Sequence, residues 1–183
     1  SYYSRDYSGD GQYDNDLIHL TADYRQQLDN WEMMYGLRFI ESNYASDDFL
    51  RQSGLSLKAK TNLSERSDLK IAFIHEDISS LTPVYSYLDG HRTKLNIGYE
   101  LKNSHDEYRY QFELEDNDRT DTPTQSHSPT RSKIDFKYIR TFTEKWRAGG
   151  DLQYRVSDYD AVASQNRKDK RIRSSLIGEY TMG

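Results

Sequence analysis

The chain has 183 residues, enough for one domain, with 34% hydrophobic residues, a net charge of −5 and no cysteine. The lack of cysteine excludes disulfides and thiolate metal sites, and the slight acidity argues against nucleic acid as a partner. Such polarity would suggest disorder, but 16 Tyr, 6 Phe and 2 Trp are too many aromatic residues for a disordered chain. This combination favours a sheet with one apolar face and one wet face.

The first half of the chain predicts four strands. Residues 1–15, rich in Tyr and Asp, are expected to be an outside loop or a partial N-terminal segment, and residues 16–183 to be barrel strands. Apolar and polar residues alternate from about residue 16, as they do along a strand whose side chains point to opposite faces in turn. Short turns are predicted near 29–30 and 64–67, and long loops near 43–50 and 77–90.

The second half repeats this pattern. Its clearest unit is the hairpin from Lys94 to Glu115, in which Leu95, Ile97 and Tyr99 alternate with polar residues around a turn near 103–106. A long loop near 116–130, a turn near 141–145 and a long loop near 158–170 separate three further strands. The chain therefore predicts about nine strands, each following the last in an antiparallel, up-and-down order.

The arrangement of connections favours a membrane barrel. Short and long connections alternate, so all short turns fall at one end, and Trp31 and Trp146 each follow a short turn. Arms of eight or more residues approach the roughly 9–11 that cross a bilayer, and short turns, long outside loops and aromatic girdles are typical of outer-membrane barrels. We predict an all-β, antiparallel transmembrane β-barrel, or about nine strands of a larger one; the alternative is a soluble β-sandwich that acts as a binding module.

The predicted number of strands indicates whether further strands or chains are needed to close the barrel. In hydrocarbon each unpaired backbone amide costs several kcal/mol, so a sheet can span only if it closes. Bacterial single-chain barrels normally have an even number of strands. An odd count predicts that the remaining barrel strands, or partner chains, complete the wall.

The alternation assigns residues to two faces. The lipid-facing or girdle candidates are aromatic residues on the apolar face: Trp31, Phe39, Tyr99, Tyr108, Phe112, Trp146 and Tyr180. The lumen-lining candidates are charged residues on the other face: Arg25, Arg38, Lys58, Lys94, Glu100, Arg109, Glu113, Lys137, Asp151 and Arg155. The second set would make a hydrated wall with a slight basic excess, although opposite charges on neighbouring strands could simply pair and solvate the wall.

The sequence gives little support to catalysis. The five histidines are scattered, and neither a Gly-x-Ser-x-Gly elbow nor a His-Glu-x-x-His motif is present. The run Asp116-Asn117-Asp118 lacks the glycine and the closing glutamate of a calcium loop. We expect no enzyme activity, no cofactor and no metal.

Several runs resemble those of a known group of proteins: 87–92 (Tyr-Leu-Asp-Gly-His-Arg) before a strand, 108–110 (Tyr-Arg-Tyr) within one, 115–119 (Glu-Asp-Asn-Asp-Arg) at a strand exit, and 157–160 (Ser-Asp-Tyr-Asp) before 167–171. The chain resembles the outer-membrane export barrels of Gram-negative bacteria, both exopolysaccharide-secretion porins and barrels that follow tetratricopeptide repeats, such as surface-lipoprotein assembly modifiers. No helical-repeat domain is present in this sequence.

The resemblance implies a function and a location. It implies a hydrated channel in a Gram-negative outer membrane for polar cargo, with exopolysaccharide export favoured. The alternative is a non-conducting scaffold barrel that assembles or sheathes a surface lipoprotein or a partner protein. The expected partners are membrane lipid and a polysaccharide or lipoprotein cargo.

Overall fold

A computed structural model describes residues 2–5, 15–44, 47–120, 128–162 and 165–181. Within them ten strands form one sheet in chain order, and each strand is antiparallel to the next. The strands are β1 (Tyr2–Arg5), β2 (Asn15–Leu28), β3 (Trp31–Tyr44), β4 (Asp47–Ser64), β5 (Ser67–Ser80), β6 (Gly90–Lys102), β7 (Asp106–Arg119), β8 (Pro129–Thr141), β9 (Trp146–Val162) and β10 (Gln165–Tyr180). A short 3-10 helix covers Pro83–Leu88, and no helix in these ranges is long and apolar enough to cross a membrane.

Tight turns join the strands at one end of the sheet, which we call the turn end. The connections are residues 29–30, 65–66, 103–105 and 142–145. Asp29 has φ +50°, in the left-handed region that Asp tolerates and that two-residue hairpin turns require. At the next turn the hydroxyls of Ser64 and Ser67 lie 2.7 Å apart, and the Ser64 hydroxyl accepts a hydrogen bond from the Arg66 amide.

The strands run further toward the opposite end, the loop end, than the sequence indicates. The connections there are residues 45–46, 81–89, 120–128 and 163–164, so the predicted loops near 43–50, 77–90, 116–130 and 158–170 all begin and end in strand. The predicted outside segment 1–15 likewise contains β1, which pairs with the start of β2. The polar composition of these residues is typical of a loop. The strands continue nevertheless, because cross-strand hydrogen bonds pair the backbone N–H and C=O groups whatever the side chains are.

The register separates two faces. On β6 and β7, Ile97 lies opposite Phe112, and Lys94 lies opposite Glu115; we call the face with Ile97 the apolar face and the face with Lys94 the charged face. Each strand from β2 to β10 exposes a large hydrophobic residue on the apolar face: Leu20, Leu37, Leu55, Phe73, Ile97, Leu114, Ile134, Leu152 and Ile172.

Burial runs opposite to that of a water-soluble sheet. On the charged face Glu76 is 1% exposed and Glu115 5% exposed, whereas on the apolar face Leu37 is 62% exposed. The sheet therefore bends toward its charged face, and that face is the inner one. A β-sandwich would cover the apolar face with a second sheet, but all described strands belong to one sheet. The predicted fold class, an all-β antiparallel meander of the barrel type, is confirmed.

Candidate functional site

The charged face brings the lumen-lining candidates together. Arg25 and Arg38 face inward on β2 and β3, Lys58 on β4, Lys94 and Glu100 on β6, Arg109 and Glu113 on β7, Lys137 on β8, and Asp151 and Arg155 on β9. All ten share this face because the side-chain period of a strand is two and no register slip interrupts the central ladders. That this face lines a lumen stays a prediction.

The girdle candidates lie on the apolar face. Trp146 and Tyr180 are directly opposite each other at the turn end, with ring centroids 4.8 Å apart, and Tyr108 lies 5.0 Å from the ring of Tyr138. Trp31, also at the turn end, lies opposite Thr61. The other candidates on this face are Phe39, Tyr99 and Phe112. Aromatic rings gathered at one end of an exposed apolar face are typical of a membrane-interface belt.

A buried carboxylate joins three strands at the loop-end half of the charged face. Glu76 on β5 pairs with Arg38 of β3 at 3.0 Å and with Arg92 of β6, and Arg92 also reaches the Gln52 amide oxygen at 3.5 Å. Arg38 and Glu76 meet across the intervening strand because Gly54 lies between them in the same row. A Cβ atom at Gly54 would meet the backbone carbonyl oxygen of His75 and lie 2.7 Å from Glu76 Cγ, so a larger residue would displace the backbone of β5 as well as the pair.

A second buried carboxylate organises the next strands. Glu115 on β7 pairs with Lys94 and, at 2.6 Å, with Arg131 of β8. It also accepts a hydrogen bond of 2.7 Å from Asn117, whose amide donates to the Pro129 carbonyl oxygen at 3.3 Å. The carboxylate therefore has a donor from each side, which offsets the cost of removing it from water.

Ion pairs nearer the turn end follow the same alternation. Glu100 accepts from Lys70 at 3.0 Å and from Arg109 at 2.9 Å. Arg147 of β9 reaches Glu107, two strands away, at 3.4 Å, and Glu179 of β10 at 3.2 Å. Pairs that bridge two strands stiffen the wall against bending, although each of these half-exposed pairs contributes little by itself.

Sequence reasoning omitted several residues of this face from its candidates, among them Arg92, Asn117 and Arg131. The signal for Arg92 and Arg131 was available. Arg92 lies two residues before the candidate Lys94, and Arg131 lies six residues before the candidate Lys137, so the same alternation reaches both arginines. They were missed because the strands were expected to begin later.

The face carries no sign of metal chemistry in the described ranges, where no group of three or more His, Asp or Glu residues is arranged to hold a metal ion. On the apolar face His75 and His91 lie with ring centroids 5.8 Å apart, and His75 Nδ1 is 2.9 Å from Thr93 Oγ1. Both histidines lie on the loop-end side of Leu95, where the hydrophobic stretch of β6 begins.

These features define a class by fold. A single antiparallel meander that buries ion pairs on its inner face and exposes apolar side chains on its outer face has the architecture of a porin-type β-barrel. Among solved structures the chain is similar to the NanC porin in its rhombohedral crystal form, with 11% identity and a TM-score of 0.51 over 99% of this chain and 91% of that one. No protein-family model matches the chain, and no curated protein matches it significantly. The likeness shows the fold alone.

Proposed function

We propose that the chain forms a barrel in the outer membrane of a Gram-negative bacterium and encloses a hydrated channel for polar cargo. The observation that supports the proposal is the inverted burial: ion pairs are buried on the inner face beside Ile40, Ile78 and Ile139, while each strand from β2 to β10 exposes a large apolar side chain on the outer face. In a water-soluble protein this arrangement would leave the apolar side chains in water and give up the free energy of burying them. In a bilayer the same face lies in hydrocarbon.

The height of the apolar face supports a bilayer. On β3 the apolar-face residues run from Trp31 to Phe39, before Glu41 and its ion-pair partner Arg51 begin the polar region. These nine positions extend about 27 Å along the strand at about 3.4 Å per residue. Tilted by about 35–45° as barrel strands are, they rise about 19–22 Å, which is most of the height of an outward apolar band about 25 Å tall.

We propose exopolysaccharide as the cargo. The resemblance to export barrels favours it, and the wall is suited to it because its amides, hydroxyls and ion pairs offer many hydrogen-bonding groups and few apolar ones. Acidic and basic side chains that pair with each other keep a passage hydrated without binding any one ion tightly. A channel of this type would conduct passively, driven by the gradient or the force on the polymer.

Conductance of the purified full chain in planar lipid bilayers tests the channel. We expect discrete open steps, reduced by Gln111→Trp, which places an indole on the charged face between Gly98 and Asp135. The matched control is Tyr110→Trp, one residue away on the apolar face, which should leave the step size unchanged.

The same recordings distinguish the alternatives. Insertion without any open step would reject the channel and favour the non-conducting scaffold barrel. A monodisperse preparation without detergent would reject the membrane location itself, because the exposed aliphatic residues would then have to be covered by protein.

A further inference from the structure

The charge of the inner face is uneven, and the excess is concentrated on β8, β9 and β10. The inward side chains of these three strands include four carboxylates, namely Asp135, Asp151, Asp169 and Glu179. They include eight basic residues, namely Arg131, Lys133, Lys137, Arg147, Arg155, Arg167, Arg171 and Arg173. The chain as a whole is acidic, with a net charge of −5. The inward side chains of these three strands therefore carry a net positive charge, of which Glu107, Glu113 and Glu115 of β7 offset part by pairing with Arg147, Lys133 and Arg131.

Three of these cations lie in one row. Lys133 of β8 is directly opposite Arg155 of β9, and Arg155 is directly opposite Arg171 of β10. Arg173 follows on β10 at the next inward position. We call Lys133, Arg155 and Arg171, together with the adjacent Arg173, the basic row. Residues directly opposite in an antiparallel ladder lie about 4.5–5.5 Å apart, and like charges there are destabilising.

Among the described residues, carboxylates form ion pairs with only one member of the basic row, Lys133. Ion pairs within 4.0 Å among the described residues include Lys133, which pairs with Glu113 and Asp135, but not Arg155, Arg171 or Arg173. On β6 and β7, by contrast, Arg92, Lys94 and Arg109 each meet a carboxylate. Asp169 attracts Arg155 without forming an ion pair with it, so the guanidinium groups of all three arginines can still bind a ligand.

The carboxylates nearest to the row already have donors. Asp135 accepts a hydrogen bond of 2.6 Å from the Gln153 amide, and Asp151 accepts one from the Ser175 hydroxyl. Asp169 accepts two hydrogen bonds from Arg167, of 3.1 and 2.7 Å. A rotation that turned any of them toward the arginines would break a bond of its own. The excess positive charge is thus built into the wall.

We infer that the basic row binds anionic groups of the cargo, namely the carboxylate, phosphate or sulfate groups of an acidic polysaccharide. This inference rests on the proposed channel, because the row meets cargo only if the charged face lines the passage. Arginine suits such groups because its planar guanidinium makes two parallel hydrogen bonds to a carboxylate or phosphate. Cations at neighbouring strand positions would hold successive charges of a polymer and favour acidic over neutral chains.

Dextran sulfate and neutral dextran of the same length are the probes. In bilayers at about 0.1 M salt, where charges within about 10 Å still interact, dextran sulfate should interrupt the current of the unmodified protein. We expect the double variant Arg155→Gln/Arg171→Gln to need about tenfold more of it for the same block. Neutral dextran should affect both proteins equally.

The matched control is Lys168→Gln/Lys170→Gln, which removes the same two charges from β10 on the opposite face. It should leave the block by dextran sulfate unchanged. The inference would be overturned if dextran sulfate blocked the row variant and the unmodified protein equally. It would also be overturned if the control lost as much sensitivity to dextran sulfate as the row variant; neither result would affect the proposed channel.

Binding without conduction separates the two proposals. Detergent-solubilised protein on dextran sulfate beads should elute at lower salt when the row is changed, and at unchanged salt when Lys168 and Lys170 are changed. A protein that never conducts but shows this difference would refute the channel and retain the binding site. Identical elution of all three proteins would refute the binding site.

Discussion

An arginine placed at Ile97 should destabilise the protein far more than one placed at the neighbouring Asn96. Ile97 is near the middle of the apolar stretch of β6 and lies between Ile71 and Phe112 on the flanking strands. Arginine facing lipid near the bilayer midplane costs about 2–4 kcal/mol. At about 1.4 kcal/mol for each factor of ten, the folding equilibrium should fall by roughly 30-fold to 1,000-fold.

Two control variants use the same strand. Asn96→Arg places the cation on the charged face, directly opposite Glu113, and should be nearly silent. Thr93→Arg keeps the cation on the apolar face but nearer the loop end, where lipid-facing arginine costs about 0–1 kcal/mol. Urea titration of the protein folded into phospholipid vesicles, followed by the fluorescence of Trp31 and Trp146, measures all three. Equal losses at Ile97 and Asn96 would refute the assignment of the two faces.

Two further predictions concern the buried ion pairs. Gly54→Ala should destabilise by about 1–3 kcal/mol because the new methyl group would crowd the His75 carbonyl oxygen and the Glu76 side chain. Gly178→Ala, where nothing lies within 4 Å, should cost little, and equal melting temperatures of the two variants would contradict this. Glu76→Gln should cost about 3–5 kcal/mol because two arginines lose their counter-charge, while Glu41→Gln, whose partner is half-exposed, should cost under about 1 kcal/mol. Thermal unfolding in vesicles checks both, and an equal loss at Glu76 and Glu41 would show that burial does not strengthen the first pair.

The two faces were predictable because strand side chains have a period of two. Leu95, Ile97 and Tyr99 alternate with Lys94, Asn96 and Gly98, so the face of each residue follows from parity alone and needs no knowledge of the strand's partners. The turn at 29–30 was also predictable, since Asp-Asn tolerates the backbone conformation that a two-residue hairpin requires.

The ends of the strands were not predictable from composition. The sequence around Asp118 and Asp158 is typical of a loop, yet these residues extend β7 and β9, because a strand needs only backbone pairing and its side chains there are free to be polar. The buried pairs depend on register between strands that are distant in sequence. Nothing local to Arg38 indicates that Glu76 will meet it over Gly54.

The orientation of β6 tests the central claim most directly. The chain has no cysteine, so one cysteine introduced at a time over positions 93–101 can carry a nitroxide in lipid vesicles. We predict that odd-numbered positions will be accessible to oxygen dissolved in lipid and even-numbered positions to a water-soluble nickel complex, with a period of two. Odd positions shielded from both reagents would show that protein, not lipid, covers the apolar face, and would contradict the account.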